Sequence, residues 1–156
     1  MWQSVKESYV ETRILSASPI ELVAMLYDGA ISAVRDARRW LAAGDIAQRS
    51  CAITKAWEIL AELIQTLDRE RGGELSLRLA QLYDYIQRRL MEANIQQSDK
   101  PLAEVLGLLS TMAESWHVLR DNETKSQIAT AAAAPSWSAA AQEAEEPVLA
   151  GRGWSL

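Results

Sequence analysis

The chain has 156 residues, is 49% hydrophobic and carries a formal net charge of −5; it can bury one core, is short for two, and lacks the basic footprint that nucleic acid or an anionic membrane surface requires. Its single cysteine, Cys51, excludes an internal disulfide. The N-terminus MWQSVKESYVE has no apolar signal core and no run approaches the ~18 residues of a membrane span, so a cytoplasmic protein without membrane insertion is expected.

There is no Phe, only seven Gly and four Pro, and Ala and Leu dominate, which favours helix over sheet. In chain order, residues 1–17 form a leader holding Trp2, Val5, Tyr9, Ile14 and Leu15. It is too apolar for a free tail and is expected to pack on the rest of the protein. The first long helix begins at Ser18-Pro19-Ile20-Glu21: Ser18 can cap, Pro19 needs no N–H partner at the first helical position, and Glu21 sits three after the cap. Apolar residues recur at Leu22, Val23, Leu26, Ala30, Val34, Ala37 and Leu41 until Gly44 stops the helix and Asp45, with Gln48, opens the next.

The second long helix carries Ile46, Ser50, Ile53, Trp57, Leu60, Ile64 and Leu67 at alternating spacings of four and three, and is expected to end near Arg71, before Gly72-Gly73. The third runs from Glu74 to about Gln97 with Leu75, Leu79, Leu82, Ile86, Leu90 and Ala93 on one face. Asp99 and Pro101 mark the turn into the fourth, which carries Leu102, Val105, Leu109, Met112, Trp116 and Leu119. Long helices of similar length joined by short loops predict an all-α, antiparallel up-and-down four-helix bundle over residues 18–121. Residues 122–156 are low in complexity and broken by Pro135 and Pro147, which predicts a disordered tail; Trp137 and Trp154 are its unusual features.

The search for chemistry returns negatives. Glu114 and His117 match the Glu-x-x-His pattern of bundle metal sites, but such a site needs two motifs and this chain has one histidine. Cys51 has no histidine near it in sequence and reads as a small buried residue. Gly72-Gly73 is followed by Glu74 rather than by Lys-Ser, so it is no phosphate cradle. Arg38-Arg39 and Arg88-Arg89 read as solvated faces. No metal, cofactor or catalytic residue is expected, and the protein is not expected to be an enzyme.

More distinctive is apolar surface beyond a single stripe. The second long helix adds Ala52, Ala56, Ile59 and Leu63; the third adds Ala80, Tyr83 and Met91; the fourth adds Leu106, Leu108 and Ala113. An ordinary wide core face accounts for this. So does a groove between helices that accepts another apolar helix, and self-association into a homodimer through that surface is equally natural.

The stretch Ser16–Ile31, SASPIELVAMLYDGAI, closely resembles the first helix of the flagellin-specific export chaperones, the FliS family. The resemblance continues at Ala43-Gly44-Asp45, Leu67-Asp68, Gly72-Gly73-Glu74, Leu82-Tyr83-Asp84-Tyr85, Arg88-Arg89-Leu90, Glu92-Ala93-Asn94-Ile95 and Val105-Leu106-Gly107-Leu108-Leu109. It spans about residues 1–119, and Tyr9 stands where the family's leader carries a tyrosine. Ser16 replaces a usual Thr, Trp2 stands near a common Tyr, and the tail lies outside.

The resemblance implies a cytoplasmic chaperone that binds the disordered C-terminal segment of flagellin, prevents its premature polymerisation and assists flagellar type III secretion. It also admits the export apparatus or regulatory flagellar proteins as further partners. The groove is expected along the apolar strip of the second and third helices, at Ile53, Ala56, Trp57, Leu60, Leu63 and Ile64 with Leu79, Tyr83, Ile86 and Leu90, and the resemblance implies Tyr9, Ile14 and Leu15 for a leader that caps it. Some of these must be core, because periodicity defines a helical face and not the neighbour occupying it. Tyr27 and Tyr83, whose hydroxyls want partners when buried, also fit a role in orienting helices. The competing class is a structural bundle that acts by self-association, without a flagellin client.

Overall fold

In a computed structural model of the chain, the described residues are 2–133, with side chains described from Gln3 onward. They form α1 (Trp2–Ser16), α2 (Pro19–Ala43), α3 (Ile46–Gln65), α4 (Arg69–Gln96) and α5 (Asp99–Ala133), with no strand among them. The chain divides into two compact units at Arg120. The bundle lies in the first unit.

The start and stop signals work as their chemistry dictates. Ser18 is extended, its side chain accepts from the Glu21 N–H, and Pro19 takes the first helical position. Gly44 ends α2 in the left-handed region at φ 73°, where it donates to Leu41 O and Asp45 donates to Trp40 O. Asp45 then caps α3 by accepting from the Gln48 N–H.

One break falls earlier than expected. α3 ends at Gln65 rather than near Arg71, because the Asp68 carboxylate accepts from the Glu70 and Arg71 N–H groups and starts α4 there. α4 is then kinked at Gly73, whose φ of 51° and ψ of −125° belong to glycine alone. Ser76 Oγ donates to Asp68 O and ties the first turn to the main helix. Gly73→Ala is therefore expected to lower stability by about 1–2 kcal/mol, although a Cβ there would meet no atom within 4 Å. Urea denaturation checks it, and unchanged stability would mean the kink is not held.

Around the bundle the order is α2, α3, α4, α5. Ala30, Ala33 and Ala37 on α2 with Ala52 and Ala56 on α3 are buried small residues that let these two helices approach closely. A Cβ on Gly29 would come within 3.3 Å of Ile59 Cδ1. α3 runs antiparallel to α4, with Arg49 and Ser50 bonded to Asn94 at one end and the Gln87 amide donating to Trp57 O further along. Arg49 is buried, and its guanidinium meets the carbonyl of Asn94 in the last turn of α4, where the exposed carbonyls favour a cation.

α5 is clasped from both sides. Arg38 on α2 makes a bidentate pair with Asp99, at 2.7 and 2.8 Å. Arg89 and Tyr85 on α4 both bond Glu104. These partners hold the Asp99 and Glu104 carboxyls below their ordinary values, the hydrogen bond from Arg38 acting on the first and those from Tyr85 and Arg89 on the second. His117 lies 2.9 Å from Asp28 of α2, while Glu114 is exposed. No group of three metal-ligating side chains occurs among the described residues.

The inner faces close a core of Tyr27, Val34, Ile53, Leu60, Leu63, Tyr83, Ile86, Leu90, Leu102, Val105 and Leu109 with the alanines. At its centre the hydroxyls of Tyr27 and Tyr83 hydrogen-bond across the α2–α4 diagonal. Trp116 stacks on Tyr27, with centroids 6.3 Å apart.

Two expectations about the ends are corrected. The leader is not packed on the bundle: it is a helix in which every side chain from Gln3 to Ser16 is exposed. Its apolar residues do not share a face. Val5 and Tyr9 lie on one side with Ser4, Ser8 and Thr12, and Val10, Ile14 and Leu15 on another with Lys6, Glu7 and Glu11. The expected tail begins too early, because residues 121–133, in the second unit, are the helical end of α5. Their Ala-rich sequence has enough helix propensity for this, although all but Glu123 are exposed. The disorder expected further on, with Trp137 and Trp154, falls outside the described residues.

Candidate functional site

A bundle face can bind another helix only where apolar side chains remain uncovered after the core has closed. The ten residues expected to line a groove divide on this criterion. Ile53, Ala56, Leu60, Leu63, Tyr83, Ile86 and Leu90 are at most 1% exposed, so they are core and offer a ligand nothing. Ile64 and Leu79 are half-buried and pack against that core. Trp57 alone of the ten is exposed, at 41%.

The reason is a rotation of about 60° between the stripe of alternating four and three spacings and the face α3 turns inward. Its buried residues are Arg49, Ala52, Ile53, Ala56, Leu60 and Leu63. Ile46, Trp57 and Ile64 therefore stand to one side, toward α4.

Trp57 lines an open depression of about 440 Å³ with Asp84, Gln87, Arg88, Met91, Glu92, Ile95 and Gln96 of α4. Met91 is 47% exposed and Ile95 77%. The floor is apolar and the rim polar: Arg88 pairs with Asp84, and Glu92 with Arg89. Gln87 donates to the Trp57 carbonyl and fixes the spacing of the two helices there. Met91 and Ile95 did not emerge as site residues because a strict stripe selects the core. The available signal was apolar side chains at positions flanking that stripe.

A second concavity, of about 220 Å³, opens at the end of the bundle where α2 and α4 begin. Val23, Thr66, Leu67, Asp68, Gly72, Leu75, Ser76, Leu79, Tyr83 and Trp116 line it. Leu75 projects at its rim, 65% exposed; the kink at Gly73 ends the short first turn of α4 two residues before it. Both concavities are shaped to accept apolar side chains of a helix or extended segment. Of the leader residues, Ile14 and Leu15 line one side of α1 with Val10, and Tyr9 stands on the other side with Val5.

The family described as flagellar protein FliS matches residues 1–123. The flagellar secretion chaperone FliS of Salmonella typhimurium is 44% identical over 108 residues, covering 69% of this chain and 80% of that protein. That of Bacillus subtilis is 33% identical over 123 residues, 79% and 91% of the two chains. That of Campylobacter jejuni is 32% identical over 120 residues, 77% and 94%. The match takes in α1 to α4 and the bundle part of α5, with both concavities inside it, and the chain belongs to the FliS family of flagellar proteins.

Proposed function

We propose that this chain is a cytoplasmic flagellar export chaperone that binds the disordered C-terminal segment of flagellin, keeps it from polymerising prematurely and hands it to flagellar type III secretion. The observation that carries this reading is the apolar depression around Trp57, Met91 and Ile95, left open on the outside of a core that is already complete. Membership of a family whose relatives are secretion chaperones supports it. Ordering a disordered segment costs about 2–5 kcal/mol. Burial at about 25 cal/mol per Å² offsets that once several such apolar sites are filled along one segment. An aromatic anchor beside a flexible Met suits a groove that must accommodate an amphipathic helix.

Titration with the C-terminal peptide of flagellin from the same source tests the proposal. Saturable binding is expected, and Trp57→Ala and Met91→Glu should each weaken it by about tenfold or more with circular dichroism unchanged. Absence of saturable binding below about 50 μM by the folded protein would overturn it.

A further inference from the structure

The apolar floor of the depression contains a sulfur atom. Trp57, Met91 and Ile95 form that floor, and Met91 is 47% exposed, which leaves its thioether within reach of small solutes. The other methionines with described side chains are better covered: Met25 and Met112 are half-buried, Met112 against the core. Cys51 is exposed, but at 3.6 residues per turn it stands on another side of α3 from Trp57. Among the described side chains, Met91 alone joins an accessible sulfur to the proposed client surface.

A thioether takes one oxygen from a hydroperoxide. The S–O bond forms as the O–O bond breaks, the sulfur is oxidised by two electrons, and the peroxide is reduced to water or an alcohol. Dithiol-dependent sulfoxide reductases reverse the step, removing the oxygen as water and leaving a disulfide. The product puts a polar acceptor on an apolar floor. Its nearest donors stand one turn back on α4 and line the same depression, but both are engaged: Gln87 with the Trp57 carbonyl and Arg88 with Asp84. Water satisfies the sulfoxide in the open depression. An apolar segment seated there expels that water, and then either the acceptor stays unpaired or the rim pair must break.

We propose that Met91 is a reversible oxidation site at which a hydroperoxide closes the depression to its client. The proposal rests on the proposed function, that this depression receives the flagellin segment. A seated segment covers the sulfur, so oxidation falls on the empty chain and spares the loaded one. Chains already holding a client keep it; empty chains stop loading until they are reduced.

The test uses the full chain in a Cys51→Ser background, treated with hydrogen peroxide. Peptide mapping by mass spectrometry should find added oxygen on Met91 before Met25 or Met112 is altered, and excess flagellin C-terminal peptide should slow that addition. The oxidised chain should bind the peptide about tenfold more weakly or worse, and sulfoxide reductases acting on both epimers, with dithiothreitol, should restore the affinity. Met91→Leu, compared only with itself before and after peroxide, should show no change. Affinity unchanged by complete oxidation of Met91, or an equal loss in treated Met91→Leu, would overturn the switch and leave the proposed function standing. Oxidation of Met91 as fast with bound peptide as without it would overturn the shielding and place the client elsewhere. Failure of the untreated chain to bind the peptide would overturn the proposed function and the switch with it.

Discussion

Leu60→Ala should lower the unfolding free energy by about 2–5 kcal/mol, whereas Trp57→Ala, three residues away on the same helix, should change it by less than about 1 kcal/mol. Leu60 has no exposed surface and sits in the core cluster with Ile53, Ala56, Leu63, Ile86 and Leu90. Removing its side chain forfeits the transfer free energy of the methyl groups and leaves a cavity among neighbours held by four helices, which can relax only in part. Trp57 projects from the other side of the inward face and is 41% exposed. The contact it makes through its carbonyl, from the Gln87 amide, survives truncation. Urea denaturation of the two variants beside flagellin-peptide titration separates the roles: Leu60→Ala loses stability and keeps affinity under folding conditions, and Trp57→Ala does the reverse. Equal destabilisation by both would mean that Trp57 belongs to the core and that the depression is no site.

The second large effect concerns the phenol pair. Tyr27→Phe or Tyr83→Phe alone should cost about 1–3 kcal/mol, because each strands the other hydroxyl in the bundle centre; replacing both should cost clearly less than the sum. Burial raises both phenols above their ordinary value of 10.0, and at Tyr27 the bond to Tyr83 raises it further. A folded-state value above the unfolded one means a contribution complete below pH 10 and lost as the pH climbs beyond it. The wild-type chain should therefore lose stability steeply on the alkaline side, and the doubly substituted chain should lack most of that slope. Additive single effects with an unchanged alkaline limb would show that the two hydroxyls do not share a buried bond.

Much of the fold is legible from local chemistry. Ser18-Pro19, Gly44-Asp45 and Asp99 act at the places their side chains and backbone preferences dictate. The break at Thr66–Asp68 has its own local signal, since Asp68 followed by Glu70 and Arg71 is a capping sequence, but the apolar spacing runs on through Leu67 and masks it. The bundle class followed from helices of similar length and short loops, which leave antiparallel neighbours as the available packing.

The candidate site was legible only in outline. By itself the sequence determined that α3 and α4 carry more apolar surface than one stripe, and the family resemblance attached a client to it. Only the tertiary structure decided which side chains remain uncovered, since a period of 3.6 states how residues share a face and says nothing about the neighbours that face meets. Ile53, Leu60 and Leu90 went to a core built from residues of all four bundle helices, and Trp57, Met91 and Ile95 were left outside. The leader shows the same division. Its apolar content was plain, but that its helix stands uncovered is a fact of the tertiary structure alone, in which every side chain from Gln3 to Ser16 is exposed.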